Sequence, residues 1–249
     1  MEIKLKGKVA VITGASSGIG ESTALSLANL GVHVILLARR IDKLMLICKK
    51  IEKAGGKASA FALDISKEGE INTVVPQILE LTKKVDILIN NAGVMLLAPI
   101  ARAQVKDWQQ MIDTNLTGLL LITHALLPTI RKQKGGHIIN ISSVAGRTAG
   151  PSTSVYNATK WGVVGFTEAL RQEVAMEGIR TCVIQPGAVA TELQTHIPDP
   201  VTKKEIDTWI KNMEALQSED ISNIILFVLS QPEHVNINEV LVRPTKQSN

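Results

Sequence analysis

The chain has 249 residues, 45% of them hydrophobic and 20% charged, which suits a folded globular protein with a substantial core and excludes a disordered or fibrous one. A net charge of +4, with Lys and Arg scattered and aromatics at only 3%, argues against a nucleic-acid partner. The longest apolar run, 118–127, is too short to span a bilayer, and the first residues carry no signal-peptide pattern, so a cytoplasmic protein with no membrane contact is expected.

Short apolar runs alternate with longer helical patterns along the chain. Strands are predicted at 9–13, 33–38, 57–63, 85–89, 136–141, 180–185 and 239–242, and helices at 19–30, 41–54, 67–83, 106–132, 155–176 and 218–229. Near-continuous apolar strands fit burial on both faces, so the expected fold is α/β. It is a single doubly wound, Rossmann-type domain spanning 1–249, with a seven-stranded parallel sheet and helices on both faces. Gly31, Gly55 and Gly178 fall just past three helices, where a left-handed cap favours glycine. Between 190 and 216 the rhythm breaks at Pro198 and Pro200 around a short helix at 203–213. An excursion of this length in a compact domain is expected to be a substrate lid. Cys48 and Cys182 are read as free buried thiols, and the five histidines lack the spacing of a metal site.

The first strand runs into Thr13-Gly14-Ala15-Ser16-Ser17-Gly18-Ile19-Gly20 and then a helix. Glycines here permit a tight turn and close approach of backbone N–H groups to a pyrophosphate, at the positive end of the helix. The second strand ends in Arg39-Arg40, where an acid would be needed to hold the ribose 2′-hydroxyl of NAD. Two guanidiniums there suit a 2′-phosphate, so the expected cofactor is NADP(H). Tyr156 and Lys160, at i and i+4 of a predicted helix, share a face, and the ammonium is expected to lower the phenol's pKa towards neutrality. By itself this spacing also fits an ordinary solvated helix face.

The glycine turn, Asn90-Asn91-Ala92-Gly93, Ser142-Ser143 and the Tyr156–Lys160 pair occur in the order and at the spacing of the short-chain dehydrogenase/reductase family, which the chain resembles over nearly its whole length. The stretches 90–97, 111–116 and 241–245 look like the NADP-dependent clavulanate-type and hydroxy-acid dehydrogenase branch. The resemblance implies that Tyr156 is the acid in carbonyl reduction and the base in alcohol oxidation, and that Lys160 holds the nicotinamide ribose. It also implies that Ser143 hydrogen-bonds the substrate oxygen and that Asn115 anchors a water linking Lys160 to solvent. Cofactor contacts are implied at Gly14, Ser16, Ser17, Gly18, Ile19, Gly20, Arg39, Arg40, Asp64, Asn91, Ala92, Gly93, Tyr156, Lys160, Pro186, Gly187 and Thr191. Asn90 is assigned to bracing the sheet.

The expected activity is hydride transfer between NADP(H) and the carbonyl or secondary alcohol of a small or medium hydroxy or keto compound. The pocket walls are expected from 94–97, 146–153 and 190–209. Family resemblance further implies a homo-oligomer, a tetramer or dimer built on the 106–132 and 155–176 helices. The competing reading is a non-catalytic NADP(H)-binding sensor, which the intact set of Asn115, Ser143, Tyr156 and Lys160 argues against.

Overall fold

The apolar runs form β1 (Val9–Thr13), β2 (His33–Ala38), β3 (Lys57–Ala62), β4 (Ile87–Asn90), β5 (Gly136–Ile141), β6 (Ile179–Pro186) and β7 (Glu239–Val242) in the computed structural model, which describes residues 5–133 and 135–248. They make one seven-stranded sheet in the order β3-β2-β1-β4-β5-β6-β7, every neighbouring pair parallel. The connecting helices are α1 (Gly18–Asn29), α2 (Ile41–Lys53), α3 (Glu68–Thr82), α4 (Val105–Ile112), α5 (Gly118–Lys132), α6 (Ser154–Val174), α7 (Pro200–Lys211) and α8 (Ser218–Leu229).

Alternation along the strands builds two cores. Ala10, Ile12, Val34, Leu36, Ile87 and Ile89 face α1, α2 and α8, while Val9, Val11, Ile35, Leu37 and Leu88 face α3, α5 and α6. A parallel strand covered on both sides has no wet face, which is why these runs read as continuously apolar. Each fully buried Ile or Leu in these layers contributes about 1.5–3 kcal/mol by leaving water. The outermost strands depart from that expectation: β3 is partly exposed at every position and β7 alternates between exposed and half-buried. Each has a neighbour on one side only, so it is less covered.

The predicted helix over 106–132 is not continuous. Between α4 and α5 the turn 113–117 widens into a π-helix, with Asn115 buried inside it. Asn115 Nδ2 donates to Val94 O at 2.8 Å and Thr159 Oγ1 at 3.2 Å, and its Oδ1 accepts from Val94 N at 2.7 Å. These bonds tie the turn to the chain after β4 and to α6, compensating for the distorted ladder. Sequence periodicity does not register such a turn, because one inserted residue hardly alters an apolar stripe.

His33 on β2 and His137 on β5 are both buried. Burial, with Lys57 nearby, pulls the His33 imidazole down to about 4. Burial, with the charges of Arg180 and Lys8, pulls His137 to about 3. Both rings are therefore neutral in the folded protein, whereas the unfolded chain takes up protons near pH 6.5. The unfolded state binds more protons below that pH, so the stability they confer is complete above about 6.5 and is lost as pH falls towards 4. Thermal midpoints measured from pH 7.5 to 4.5 should fall steeply below about 6.5. A His137→Gln variant should show a shallower fall; an unchanged profile would assign acid sensitivity elsewhere.

Candidate active site

From the β1–β4 pair the strand order proceeds outward in opposite directions, so the loops leaving the carboxyl ends of these two strands diverge. Such a switch in strand order opens a crevice. A cavity of about 660 Å³ lies there. Every residue expected at the site lines it except Gly20 and Asn115, which stand behind the lining.

The glycine turn is shaped by close backbone approach. Gly14 has φ +64°, and a Cβ on it would stand 2.7 Å from Ala92 Cα; a Cβ on Gly20 would stand 2.5 Å from Gly14 O. Thr13 Oγ1 accepts from the backbone N–H groups of Asn91 and Ala92, both at 3.0 Å. Asn91 Nδ2 donates to Thr13 O at 3.0 Å and Gly14 O at 3.1 Å, so this side chain supports the turn as well as lining the cavity. No side chain caps α1 from Ser17, leaving its leading amides available at the positive end of the helix. Behind the turn, Asn90 Nδ2 donates to Thr123 Oγ1 and Asn140 Oδ1, both at 2.8 Å, bracing β4 against β5 and α5.

Arg39 is exposed at the rim, while Arg40 is half-buried against the turn. Arg40 Nη2 donates to Ser16 Oγ at 2.8 Å and Ser17 Oγ at 2.9 Å, and its Nη1 donates to Glu192 Oε2 at 2.9 Å. Asp64 lines the cavity, with Oδ1 accepting from Ser66 N at 3.0 Å and Ser66 Oγ at 2.7 Å; it shapes a turn and is not the N-cap of α3, which is Lys67. At the other end, Gly187 N donates to Val242 O at 2.7 Å, and Ala188 N donates to Gln247 Oε1 at 2.9 Å. These bonds seat Pro186 and Gly187 against the last strand. Thr191 starts a 3-10 turn over 192–196 and accepts from Leu193 N at 3.3 Å.

Tyr156 and Lys160 are both buried on α6, only 6% and 5% exposed, which removes the solvated-face reading of the pair. Lys160 Nζ lies 5.7 Å from the centre of the phenol ring and donates to Ile141 O at 3.0 Å. The expected lowering of the phenol's pKa is not found. Burial pushes Tyr156 up to about 12, with Ser143 acting the opposite way, and burial pulls Lys160 down to about 8. Desolvation outweighs the attraction because both groups lose water while the ammonium directs a proton at a carbonyl. Of the two serines, Ser142 Oγ donates to Lys160 O at 2.9 Å, whereas Ser143 Oγ lies by the phenol and accepts from Ala145 N at 3.1 Å. Gly93 separates the remaining pair: a Cβ there would be 3.3 Å from Asn115 Oδ1 and 3.7 Å from Lys160 Nζ.

Beyond Tyr156 the apolar walls are Val94, Met95, Leu96 and Leu97 together with Leu193, Ile206 and Trp209. Of the expected 146–153 wall only Thr153 reaches the cavity, alongside Val144 and Ala145. Asn157 Nδ2 donates to Ala145 O at 2.7 Å and Thr148 O at 2.6 Å, curling the intervening residues away. Sequence reasoning missed Gln110 and Thr114, and it included Glu192 only as part of the 190–209 wall. Gln110 and Thr114 stand at i and i+4 on the α4 side of the cavity, a spacing that was available as a signal. Trp161 is half exposed on α6. Cys182 is a packing residue, its thiol pushed up to about 12 by burial and then by Glu239.

A crevice at a switch in strand order puts the chain among the doubly wound α/β folds. Known proteins narrow that class. The short chain dehydrogenase family pattern matches residues 8–201, and an uncharacterized oxidoreductase of Staphylococcus saprophyticus is 43% identical over 246 residues, 98% of each chain. Among solved structures, the closed form of serine dehydrogenase complexed with NADP+ has a TM-score of 0.90 at 34% identity, covering 97% of this chain and 96% of that one. A metagenomic short-chain oxidoreductase in complex with NADP has a TM-score of 0.83 at 33% identity, covering 98% and 99%. The chain belongs to the short-chain dehydrogenase family of oxidoreductases. Among the described residues, no helix is long and apolar enough to cross a membrane.

Proposed function

We propose that this protein is an NADP(H)-dependent dehydrogenase or reductase that interconverts the carbonyl and secondary alcohol of a small or medium hydroxy or keto compound. The observation that carries the reading is the convergence of buried Tyr156 and Lys160 and half-buried Ser143 with an uncapped helix start and two arginines in one cavity. The residues present fit the cofactor. The glycine turn has no room for a side chain, the leading amides of α1 suit a pyrophosphate, and Arg39, Arg40 and Ser16 suit a 2′-phosphate. NADP bound to the solved relatives supports the same choice.

Bound NADP(H) supplies or accepts the hydride. In reduction, the Tyr156 phenol gives its proton to the substrate oxygen while the Ser143 hydroxyl hydrogen-bonds that oxygen and stabilises the charge developing there. Lys160 holds the ribose, and Asn115 belongs to the path that returns the proton from solvent. Asp64, Asn91, Ala92 and Gly93 flank the adenosine half; Pro186, Gly187 and Thr191 flank the nicotinamide half. Gly18, Ile19 and Ser17 form the phosphate seat.

The finer likeness to the clavulanate-type and hydroxy-acid branch belongs to this proposal and is supported by the similarity to serine dehydrogenase. Among the described residues beyond Tyr156, the polar lining includes Gln110, Thr114, Thr153, Gln194 and His196 and no guanidinium, so a substrate carboxylate would meet amides, hydroxyls and an imidazole. We assign 190–216 as a substrate lid in a single domain: its ends meet where Val189 pairs with Leu216, and Asp199 near its middle is held by Arg102 at 2.9 Å. A cytoplasmic homodimer or homotetramer through α4, α5 and α6 completes the proposal, supported by half-exposed Trp161 on α6.

A panel of carbonyls and alcohols, acidic and neutral, followed by NADPH absorbance, tests the activity. Turnover of one chemical series is expected. NADPH binding without turnover of any member would instead favour a cofactor-binding sensor.

A further inference from the structure

Arg40 reaches the phosphate turn from the residue before α2, Lys43 stands in the first turn of that helix, and a carboxylate from across the crevice engages both. Glu192 Oε2 accepts from Arg40 Nη1 at 2.9 Å, and its Oε1 accepts from Lys43 Nζ at 3.1 Å. The same guanidinium donates to Ser16 Oγ through Nη2 at 2.8 Å and Nε at 3.2 Å, and to Ser17 Oγ at 2.9 Å. A guanidinium and an ammonium that grip one anion, with two hydroxyls against the same guanidinium, suit a phosphate monoester. Here the two cations are engaged by an anion from the chain itself.

Both cations hold the Glu192 carboxyl down to about 2, so it stays ionised throughout the neutral range and protonation does not release it. Its bridge to Arg40 is open to solvent, the side chains being 41% and 45% exposed, and such a pair is weak and easily exchanged. A phosphate monoester brings more charge than a carboxylate and three acceptor oxygens in place of two. It therefore has the advantage in a contest for Arg40.

We infer that Glu192 is a cofactor-selecting residue, an internal competitor for Arg40 and Lys43 that the 2′-phosphate of NADP(H) displaces and that NAD(H), lacking this phosphate, leaves in place. The inference rests on the NADP(H) reading above. Glu192 follows Thr191, whose Cγ2 would lie 3.2 Å from a Cβ on Gly18, so the exchange occurs where the 190–216 segment meets the phosphate turn. Displacement thus frees the first turn of that segment when NADP(H) arrives.

Calorimetric titration of wild-type and Glu192→Gln protein with 2′,5′-ADP, 5′-AMP, NADPH and NADH tests this. The variant should bind 2′,5′-ADP and NADPH about 3–10-fold more tightly, as expected when an exposed competing pair is removed. Its affinity for 5′-AMP and NADH should stay within about twofold of wild type, and the advantage should shrink at high salt. Equal tightening of all four ligands would overturn the inference. Weaker NADPH binding would also overturn it, making the bridge a clasp over any bound dinucleotide. Wild-type protein that binds neither NADPH nor 2′,5′-ADP would overturn the NADP(H) reading itself and this inference with it.

Discussion

Replacing Tyr156 with Phe is expected to lower turnover about 10²–10⁴-fold, the contribution of a positioned proton donor, while NADPH affinity changes less than about twofold. The substitution removes one hydroxyl and leaves the ring in its apolar cluster with Leu96, Leu97, Met111 and Ile197. Ser143 keeps its bond from Ala145 N, so no buried group is orphaned and stability should change by about 1 kcal/mol or less. Because burial holds the phenol at about 12 in the ligand-free protein, the acid form prevails through neutral pH. Carbonyl reduction begins from that form, whereas alcohol oxidation requires the phenolate and should accelerate as pH rises. Steady-state rates in both directions, paired with NADPH titration, measure these effects. Wild-type turnover in the Phe variant would move the proton donor elsewhere.

Lys160→Met should abolish turnover and yet stabilise the ligand-free protein. The ammonium is buried and donates to Ile141 O, and burial draws its pKa from 10.5 to about 8. The unfolded chain therefore holds this proton more tightly than the folded one. Below about pH 8 the charged lysine costs stability, and that cost diminishes as pH rises from 8 towards 10.5. Methionine has similar length and needs no hydration, so a gain of about 1–3 kcal/mol at pH 7 is expected, less whatever the Ile141 bond contributes. For a chain of this size that corresponds to a rise of several degrees in thermal midpoint, about 2–4 °C per kcal/mol. Calorimetric melting at pH 7 and 10 measures it: the advantage over wild type should narrow at the higher pH. A lower midpoint at pH 7 would mean that the buried ammonium is fully compensated. A stabilising change that destroys function is the signature of a group retained for chemistry.

The strands and most helices were legible because their causes are local. An apolar run of strand length bounded by glycine or proline has few alternatives, and β1, β2 and β5 match their predicted limits. The π turn at Asn115 was not legible, since its stability comes from Val94 and Thr159, which are remote in sequence. The wall at 146–153 was misjudged for a related reason: two bonds from Asn157, on the following helix, decide which way that loop faces. At the site, the motifs identified the side chains that line one cavity, but their order gave no sign that burial would dominate the pair on α6.

Residue order by itself determined the α/β class, the glycine turn, the double arginine and the Tyr-Lys spacing, because strand period, glycine's freedom and i, i+4 geometry are properties of short stretches. Only the tertiary structure decided that Glu192 meets Arg40 across 152 positions, and that Ser142 turns to Lys160 while Ser143 turns to the phenol. It also decided that burial raises the Tyr156 phenol, against the expected lowering, and lowers the Lys160 ammonium. Charge and proton affinity depend on how much water the surrounding fold removes, and that is set by every element packed round the crevice.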